Sequence, residues 1–423
     1  MRILWLKSGL LLPLDKGGKL RTWHLLRQLA HRHDITYVSF TEPGVTAAER
    51  DGMREVSARL ETVPRSDPPK RSFRYYLRAA RHLADPLPYA VGQYRSRAFR
   101  RTVLRLLATE SFDLIVCDFL VPAVNLPGAL PCPSVLFTHN VESEIWRRHA
   151  EARRGSLTSV LYRMQYRRML RFERRTLERF DGVLAVSDAD RDTFAQLFPG
   201  AVRHPIHVVP TGVDTDFFSP SPSPPSSRRM VFTVSMDWLP NEDAMVFFCR
   251  DVLPRIRAAE PGVTLSIVGR APTPEVRRLS SDPAVHVTGD VDDVRPYVRD
   301  AALYVVPLRI GGGTRLKIFE AMAMGRAVVS TSIGAEGLPV VDGRHLALAD
   351  EPDRFAAMVV ELLRDAGRRA QLERAGRALV VERFGWGDVA GALETALERF
   401  AHRVPARASE ARRNPEVSHS SLP

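Results

Sequence analysis

Short apolar runs alternate with longer stretches of helical periodicity through most of this chain. Ile3–Leu6 is the first run; a loop containing Gly17 and Gly18 follows it, and then a predicted helix from about Leu20 to His31. Ile35–Phe40, Leu114–Cys117, Ser134–Phe137, Gly182–Val186 and His207–Val209 complete a first set of predicted strands. Runs of this kind, apolar without a polar alternate face, belong to strands covered on both sides, and the helices between them supply the crossovers of a parallel sheet. Residues 1–210 are therefore expected to form one doubly wound α/β domain.

The alternation stops at residues 219–227, a Ser/Pro run that reads as a loop or linker. It restarts with Val231–Ser235, a helix near Ala244–Ala259, Thr264–Val268, Val285–Val287, Leu303–Val306, a helix from Arg315 to Met324, and Ala327–Thr331. This second α/β unit is assigned to residues 211–383. Gly385, Trp386 and Gly387 interrupt a helical C-terminus that runs to about Phe400, and residues 403–423, nearly devoid of apolar side chains, are expected to be disordered.

Charge divides the chain unevenly. The whole carries 61 Lys+Arg against 49 Asp+Glu, a formal +12. Residues 1–210 hold 34 basic and 21 acidic side chains, so the entire excess lies in the first half. A basic half joined to a near-neutral half suggests that one unit meets an anionic surface. Only five of the basic residues are Lys, an Arg preference that genome composition can explain, although composition does not explain its placement. Three cysteines without metal-ligand spacing suit a reducing compartment, and no apolar run reaches the roughly 18 residues of a membrane span. The N-terminal apolar stretch is broken by Lys7 and Asp15 and lacks a small-residue cleavage site, so no signal peptide is expected.

The most informative chemistry is PLRIGGGTRLKIFEAMAMG, residues 307–325. It leaves an apolar strand, passes through Gly311, Gly312 and Gly313, and enters a helix. Glycines at a helix entrance let backbone N–H groups approach an anion, and the helix end adds about half a positive charge. Thr314, Arg315 and Lys317 bring a hydroxyl and two cations to the same turn, and Glu320 stands where a carboxylate can accept from ribose hydroxyls. The segment is not a P-loop, because no Lys-Ser/Thr pair follows the glycines. DVDD at 290–293 can hold a divalent ion but reads better as a polar loop capping a helix near Arg295. In the first half, THNVE at 138–142 places His139, Asn140 and Glu142 just beyond the strand Ser134–Phe137, at the carboxyl end where such sheets bind ligands. Asn140 and Glu142 have a second reading as caps of the following helix.

Residues 307–325, together with PTGVD at 210–214, THNVE at 138–142 and IVGR at 267–270, resemble the retaining GT-B glycosyltransferases of family 4 over nearly the whole chain. The resemblance implies an α/β GT-B fold with two Rossmann-like doubly wound domains facing across a cleft, and a C-terminal helix at 384–402 packing back on the first. It implies a nucleotide-sugar site in the second domain formed by Gly269, Gly289, Val291, Gly311, Gly312, Gly313, Thr314, Leu316 and Glu320, with Gly17 and Gly18 beside the diphosphate. Glu320 matches the second Glu of the family's pair; the position of the first is Gly312. The family's Arg and Lys diphosphate ligands align with Met236 and Glu242, so Arg315 and Lys317 are expected to take over that role. His139 is cast next to the reacting sugar, with Asn140 and Glu142 towards the acceptor.

The implied reaction moves a sugar from a nucleotide diphosphate to a hydroxyl of a glycan or lipid-linked acceptor with retention, in cell-surface or exopolysaccharide synthesis. His139, Arg315 and Lys317 are its catalytic candidates, and no metal or other cofactor is expected. Alternatives are a GT-B sugar-nucleotide epimerase and a non-catalytic nucleotide-sugar or nucleic-acid binding protein. Eleven Arg in residues 147–179, and eleven basic residues in 65–105 interleaved with Phe73, Tyr75, Tyr76, Tyr89 and Tyr94, read as a surface for anionic membrane. The protein is expected to be cytoplasmic, peripheral on the inner membrane face, without a nucleic-acid partner.

Overall fold

The computed structural model describes residues 1–14, 17–66, 72–73, 77, 82, 84–151, 158–221, 228–310 and 316–403. The chain divides into two units, one of Met1–Pro210 with the segment from Ala390 onward, the other of Thr211–Val389.

The first unit is built on a seven-stranded sheet: β1 (Arg2–Leu6), β2 (Asp34–Thr41), β3 (Arg59–Pro64), β4 (Leu114–Asp118), β5 (Ser134–Phe137), β6 (Gly182–Ala185) and β7 (His207–Val208), in the order 3-2-1-4-5-6-7. Every pairing is parallel. β1, β4 and β5 are buried almost end to end, as their uninterrupted apolar sequences require. β3 escapes the apolar pattern. It is a half-exposed edge strand whose polar residues are tied off by ion pairs, Arg59 to Glu61 and Glu110, and Glu61 to Arg105. Helix α1 (Gly17–Leu29) starts at the paired glycines rather than at Leu20. Helices α2 (Glu142–Glu151) and α3 (Thr158–Leu177) follow β5 and pack closely on one another.

The second unit repeats the plan with six parallel strands: β8 (Arg229–Thr233), β9 (Thr264–Val268), β10 (Val285–Gly289), β11 (Leu303–Val306), β12 (Ala327–Ser330) and β13 (Ala347–Leu348), ordered 10-9-8-11-12-13. β13, two residues long, has no pattern to betray it. The helical run 239–259 widens to a π turn at Phe248–Val252, where Pro254 in the following turn offers no N–H to close a regular bond. Helix α4 (Leu316–Ala323) buries Ile318, Phe319, Ala321, Met322 and Ala323 against the sheet.

The last helix, α5 (Trp386–Arg403), begins against Gly212 of the second unit, where a Cβ would strike the Trp386 ring. From Ala390 it belongs to the first unit. Phe400 is fully buried, edge-on to His207, and occupies the space a side chain at Gly182 would need. Glu394 accepts from Arg32 and, at 2.8 Å, pairs with His33 Nε2. The helix thus extends through Arg403; residues 222–227 of the Ser/Pro run and 404–423 of the tail lie outside the described residues.

Candidate functional site

In both sheets the strand order reverses beside the first strand, between β1 and β4 in one and between β8 and β11 in the other. The crevice outside the carboxyl ends of the strands at such a point is where doubly wound folds bind ligands.

In the first unit that edge carries a buried polar cluster. Lys7 follows β1, Asp118 ends β4, and His139 lies two residues beyond β5. The Asp118 carboxylate is fully buried and accepts from Trp5 Nε1 at 3.0 Å, Lys7 Nζ at 2.8 Å, Thr22 Oγ1 at 2.7 Å and His139 Nε2 at 2.7 Å. Burial alone would raise its pKa; Lys7 and His139 overcome that and hold it well below the usual carboxylate range. Burial lowers Lys7 against the pull of Asp118. Burial, reinforced by Lys7 and Arg21, pushes the His139 imidazole down to about 3 in spite of Asp118, so the ring is neutral at physiological pH. Arg21, also buried, donates to the carbonyls of Val209 and Pro210 and lies over the Phe137 ring.

Phe119 covers this cluster. Its backbone is in the left-handed region, φ 73°, which a bulky residue adopts only where its surroundings enforce it. The enforcement is visible: its N–H donates to Phe137 O, its ring stacks on His139 at 3.8 Å, and Lys7 Nζ sits 4.4 Å from the ring centre. Gly18 completes the contact, because a Cβ there would come within 2.9 Å of the Phe119 ring. The structure therefore brings Gly18 and His139 together through Phe119, while Gly17 opens α1. Asn140 hydrogen-bonds the Glu142 carboxyl, so those two side chains hold each other at the start of α2. The N–H groups of Glu142 and Ser143 donate to separate oxygens of Glu173, at 2.9 and 3.0 Å, which caps α2 from α3. Burial, with help from Glu142, pushes Glu173 up to about 7.

In the second unit the edge is shaped by backbone. Gly269 follows β9 with φ 151°, and a Cβ there would collide with Val234 O. Its N–H donates to Gly289 O at 3.3 Å, and Gly289, ending β10, has φ 74°. The expected pair thus sits side by side, and Val291 is half-buried against the core of this unit. Leu316 opens α4, and Lys317 Nζ meets Glu320 at 3.1 Å, with the lysine side chain 40% exposed. Gly311, Gly312, Gly313, Thr314 and Arg315 lie outside the described residues. Met236 is buried in the core, which agrees with its being no phosphate ligand. Of DVDD, Asp293 accepts from the N–H and Nε of Arg295, the capping arrangement.

Lys7, Trp5, Thr22 and Asp118 were not singled out by their sequence. One signal was present: an acid and a lysine, each directly at the end of an apolar strand, in a chain with only five lysines.

Two parallel doubly wound domains in one chain constitute the GT-B architecture, and the solved structure of Anabaena HepE in complex with UDP shares it, with a TM-score of 0.66, 17% identity, and coverage of 94% of this chain and 100% of that one. The profile described as Glycosyltransferase Family 4 matches residues 16–217, and that described as Glycosyl transferases group 1 matches residues 227–365. The chain belongs to the group 1, family 4 glycosyltransferases. It is similar to a phosphatidyl-myo-inositol mannosyltransferase of Mycobacterium tuberculosis, 29% identical over 336 residues that cover 75% of this chain and 82% of the relative. It also resembles a GDP-mannose-dependent alpha-(1-6)-phosphatidylinositol monomannoside mannosyltransferase of the same species, 32% identical over 246 residues covering 50% and 60%.

Proposed function

We propose that this glycosyltransferase transfers a hexosyl group from a nucleotide diphosphate sugar to a hydroxyl of a lipid-linked acceptor at an anionic membrane, with retention and without a metal. The observation that carries the donor half is the start of α4, where Lys317 and Glu320, one turn apart and paired, follow in sequence the central strand β11 and the glycines 311–313. The lysine and helix terminus suit a diphosphate, and the carboxylate suits ribose hydroxyls. In the reaction the anomeric C–O bond to the diphosphate breaks, the acceptor oxygen bonds the same face, and the acceptor proton passes to the leaving phosphate. Stabilising that leaving charge is the principal task. Neutral His139 supplies a hydrogen-bonding group to the sugar. The relatives' acceptors are phosphatidylinositol lipids by name, and a lipid-linked acceptor in cell-surface glycan synthesis fits the basic first unit.

The membrane face narrows in the structure. Arg147 and Arg148 pair with Glu144, Arg174 pairs with Glu178, and Arg179 bonds carbonyls. Tyr94 packs on Phe40 and Arg65, so it is not a surface aromatic, and most of residues 67–83 lie outside the described residues. Among the described residues, one basic face that stays available is that of α3: Arg163, Arg167 and Arg171, one helical turn apart, around a hollow of about 430 Å³ also lined by Val160, Met164 and Arg168; Arg97, Arg100 and Arg101 are exposed as well. Arg163 and Arg167 have no carboxylate partner among the described residues, and Val160 is 64% exposed. No described helix is long and apolar enough to cross a membrane.

A thermal-shift panel of UDP-glucose and GDP-mannose identifies the donor, since a ligand at 100 times its Kd stabilises by about 2.7 kcal/mol. With that donor, Glu320→Ala and Lys317→Ala each lower kcat/KM roughly tenfold to a hundredfold, the value of one charge-assisted hydrogen bond, with unchanged Tm. Wild-type turnover in both variants rejects the site. Co-sedimentation with phosphatidylglycerol vesicles, lost on Arg163→Glu/Arg167→Glu, tests the membrane face.

A further inference from the structure

The cluster around Asp118 carries an inference that rests on the role given to His139 above. The carboxylate is divided between its two oxygens. Oδ2 accepts from Trp5, Lys7 and Thr22, whereas among the described residues Oδ1 faces His139 Nε2 alone. A buried ionised carboxylate only accepts, so Nε2 must carry the imidazole proton and Nδ1 must be the bare nitrogen. Nδ1 makes no hydrogen bond among the described residues, and the ring cannot turn to exchange its nitrogens because Phe119 stacks on it and Phe137 lies 4.9 Å away at a tilt. The charges facing the ring are Asp118, Lys7 and Arg21, and Lys7 is the one bonded to the carboxylate.

We propose that Asp118 is the positioning residue for His139 in sugar transfer: it fixes the Nε2–H tautomer so that Nδ1 is offered as an acceptor to a sugar hydroxyl, and Lys7 keeps Asp118 ionised. A salt bridge serving stability alone would not need the fourth partner or the fixed ring. The divided carboxylate also makes the outcome of Asp118→Asn determinate. Three donors converge on the Oδ2 position, so the amide oxygen must lie there and the NH2 group must take the place of Oδ1. It then donates to Nε2, and His139 is driven to the Nδ1–H tautomer with the volume of the site unchanged. The acceptor becomes a donor. Such an inversion by Asn in place of a tautomer-fixing Asp is known to leave geometry intact while disabling the imidazole.

The test uses the full chain labelled with 15N-histidine, long-range proton–nitrogen correlation at pH 7.5, and His139→Gln to assign the resonance. The wild type is expected to show bare Nδ1 and protonated Nε2, and Asp118→Asn the reverse. With the nucleotide sugar selected by the panel, kcat of Asp118→Asn falls about a hundredfold, in line with loss of a residue that orients a reacting group, while the affinities for UDP and GDP stay within about twofold. Should Asp118→Asn not fold, Lys7→Gln keeps a donor to Oδ2 but removes the charge. His139 then titrates in the neutral range, and activity lost at pH 6 returns at pH 8.5. Wild-type His139 found as the Nδ1–H tautomer or as imidazolium overturns the proposal. So does an inverted tautomer in Asp118→Asn with kcat within threefold of wild type, or a Lys7→Gln profile that stays flat with His139 neutral. A full rate in His139→Gln overturns the role of His139 itself, whereas loss of rate in that variant beside a fully active Asp118→Asn overturns the positioning role only.

Discussion

The carboxyl ends of the two sheets are organised in opposite ways. At the carboxyl end of the first, four side chains converge on one buried carboxylate and a strained phenylalanine closes over them. At the corresponding end of the second, two glycines with positive φ bring backbone close to backbone, and the charges of α4, Lys317 and Glu320, lie half-buried and paired with one another near its start. The first edge is organised by electrostatics inside a low-dielectric interior, where each member depends on the others. The second is organised by steric permission, with its two charges satisfying each other. Architecture is repeated between the units, but the physics holding each site is not.

The contrast can be broken most severely at Lys7. Lys7→Met strands the buried Asp118 charge and is expected to cost about 3–5 kcal/mol in urea denaturation; a change below 1 kcal/mol would mean that the cluster is not electrostatically coupled. Gly269→Ala tests the other edge. With Val234 O in the way of a Cβ and φ outside the range of L-residues, it should cost on the order of 3 kcal/mol and weaken nucleotide binding, with no effect on the His139 resonance. Acid separates the edges next. The unfolded imidazole of residue 139 takes up a proton near 6.5 and the folded one only at about 3, so this group removes up to ~1.4 kcal/mol of stability per pH unit as pH falls below 6.5 and nothing above it. His139→Gln should flatten that slope in denaturation curves taken between pH 4 and 7. The smallest effect belongs to Glu173→Gln. An amide offers one acceptor where two N–H groups need separate oxygens, so a loss of about 1 kcal/mol at pH 8 is expected by chemical denaturation.

Much of this fold was legible from apolar runs, because strands covered on both faces leave no other pattern. β3 was hidden, since an edge strand carrying Arg59 and Glu61 resembles a loop. The edge proposed for the donor has a sequence signature of its own: Lys317 and Glu320 follow glycines into a helix. The Asp118 cluster has none. Its members stand at positions 5, 7, 22, 118 and 139, and no spacing connects them. Only the placement of β1 beside β4, and of β4 beside β5, makes them neighbours. Individual strands follow from local composition, whereas strand order is a long-range property, and a site assembled across strands inherits that.

Helix α5 has a consequence in time. Phe400 fills the space beside Gly182, and Glu394 holds Arg32 and His33, so of the two units the one synthesised earlier is the later to be finished. At roughly 5–20 residues per second, the stretch from Pro210 to Phe400 takes on the order of 10–40 s to synthesise. For that interval the surface around β6 and β7 waits uncovered while the second unit, whose own strands are consecutive in the chain, can already be complete.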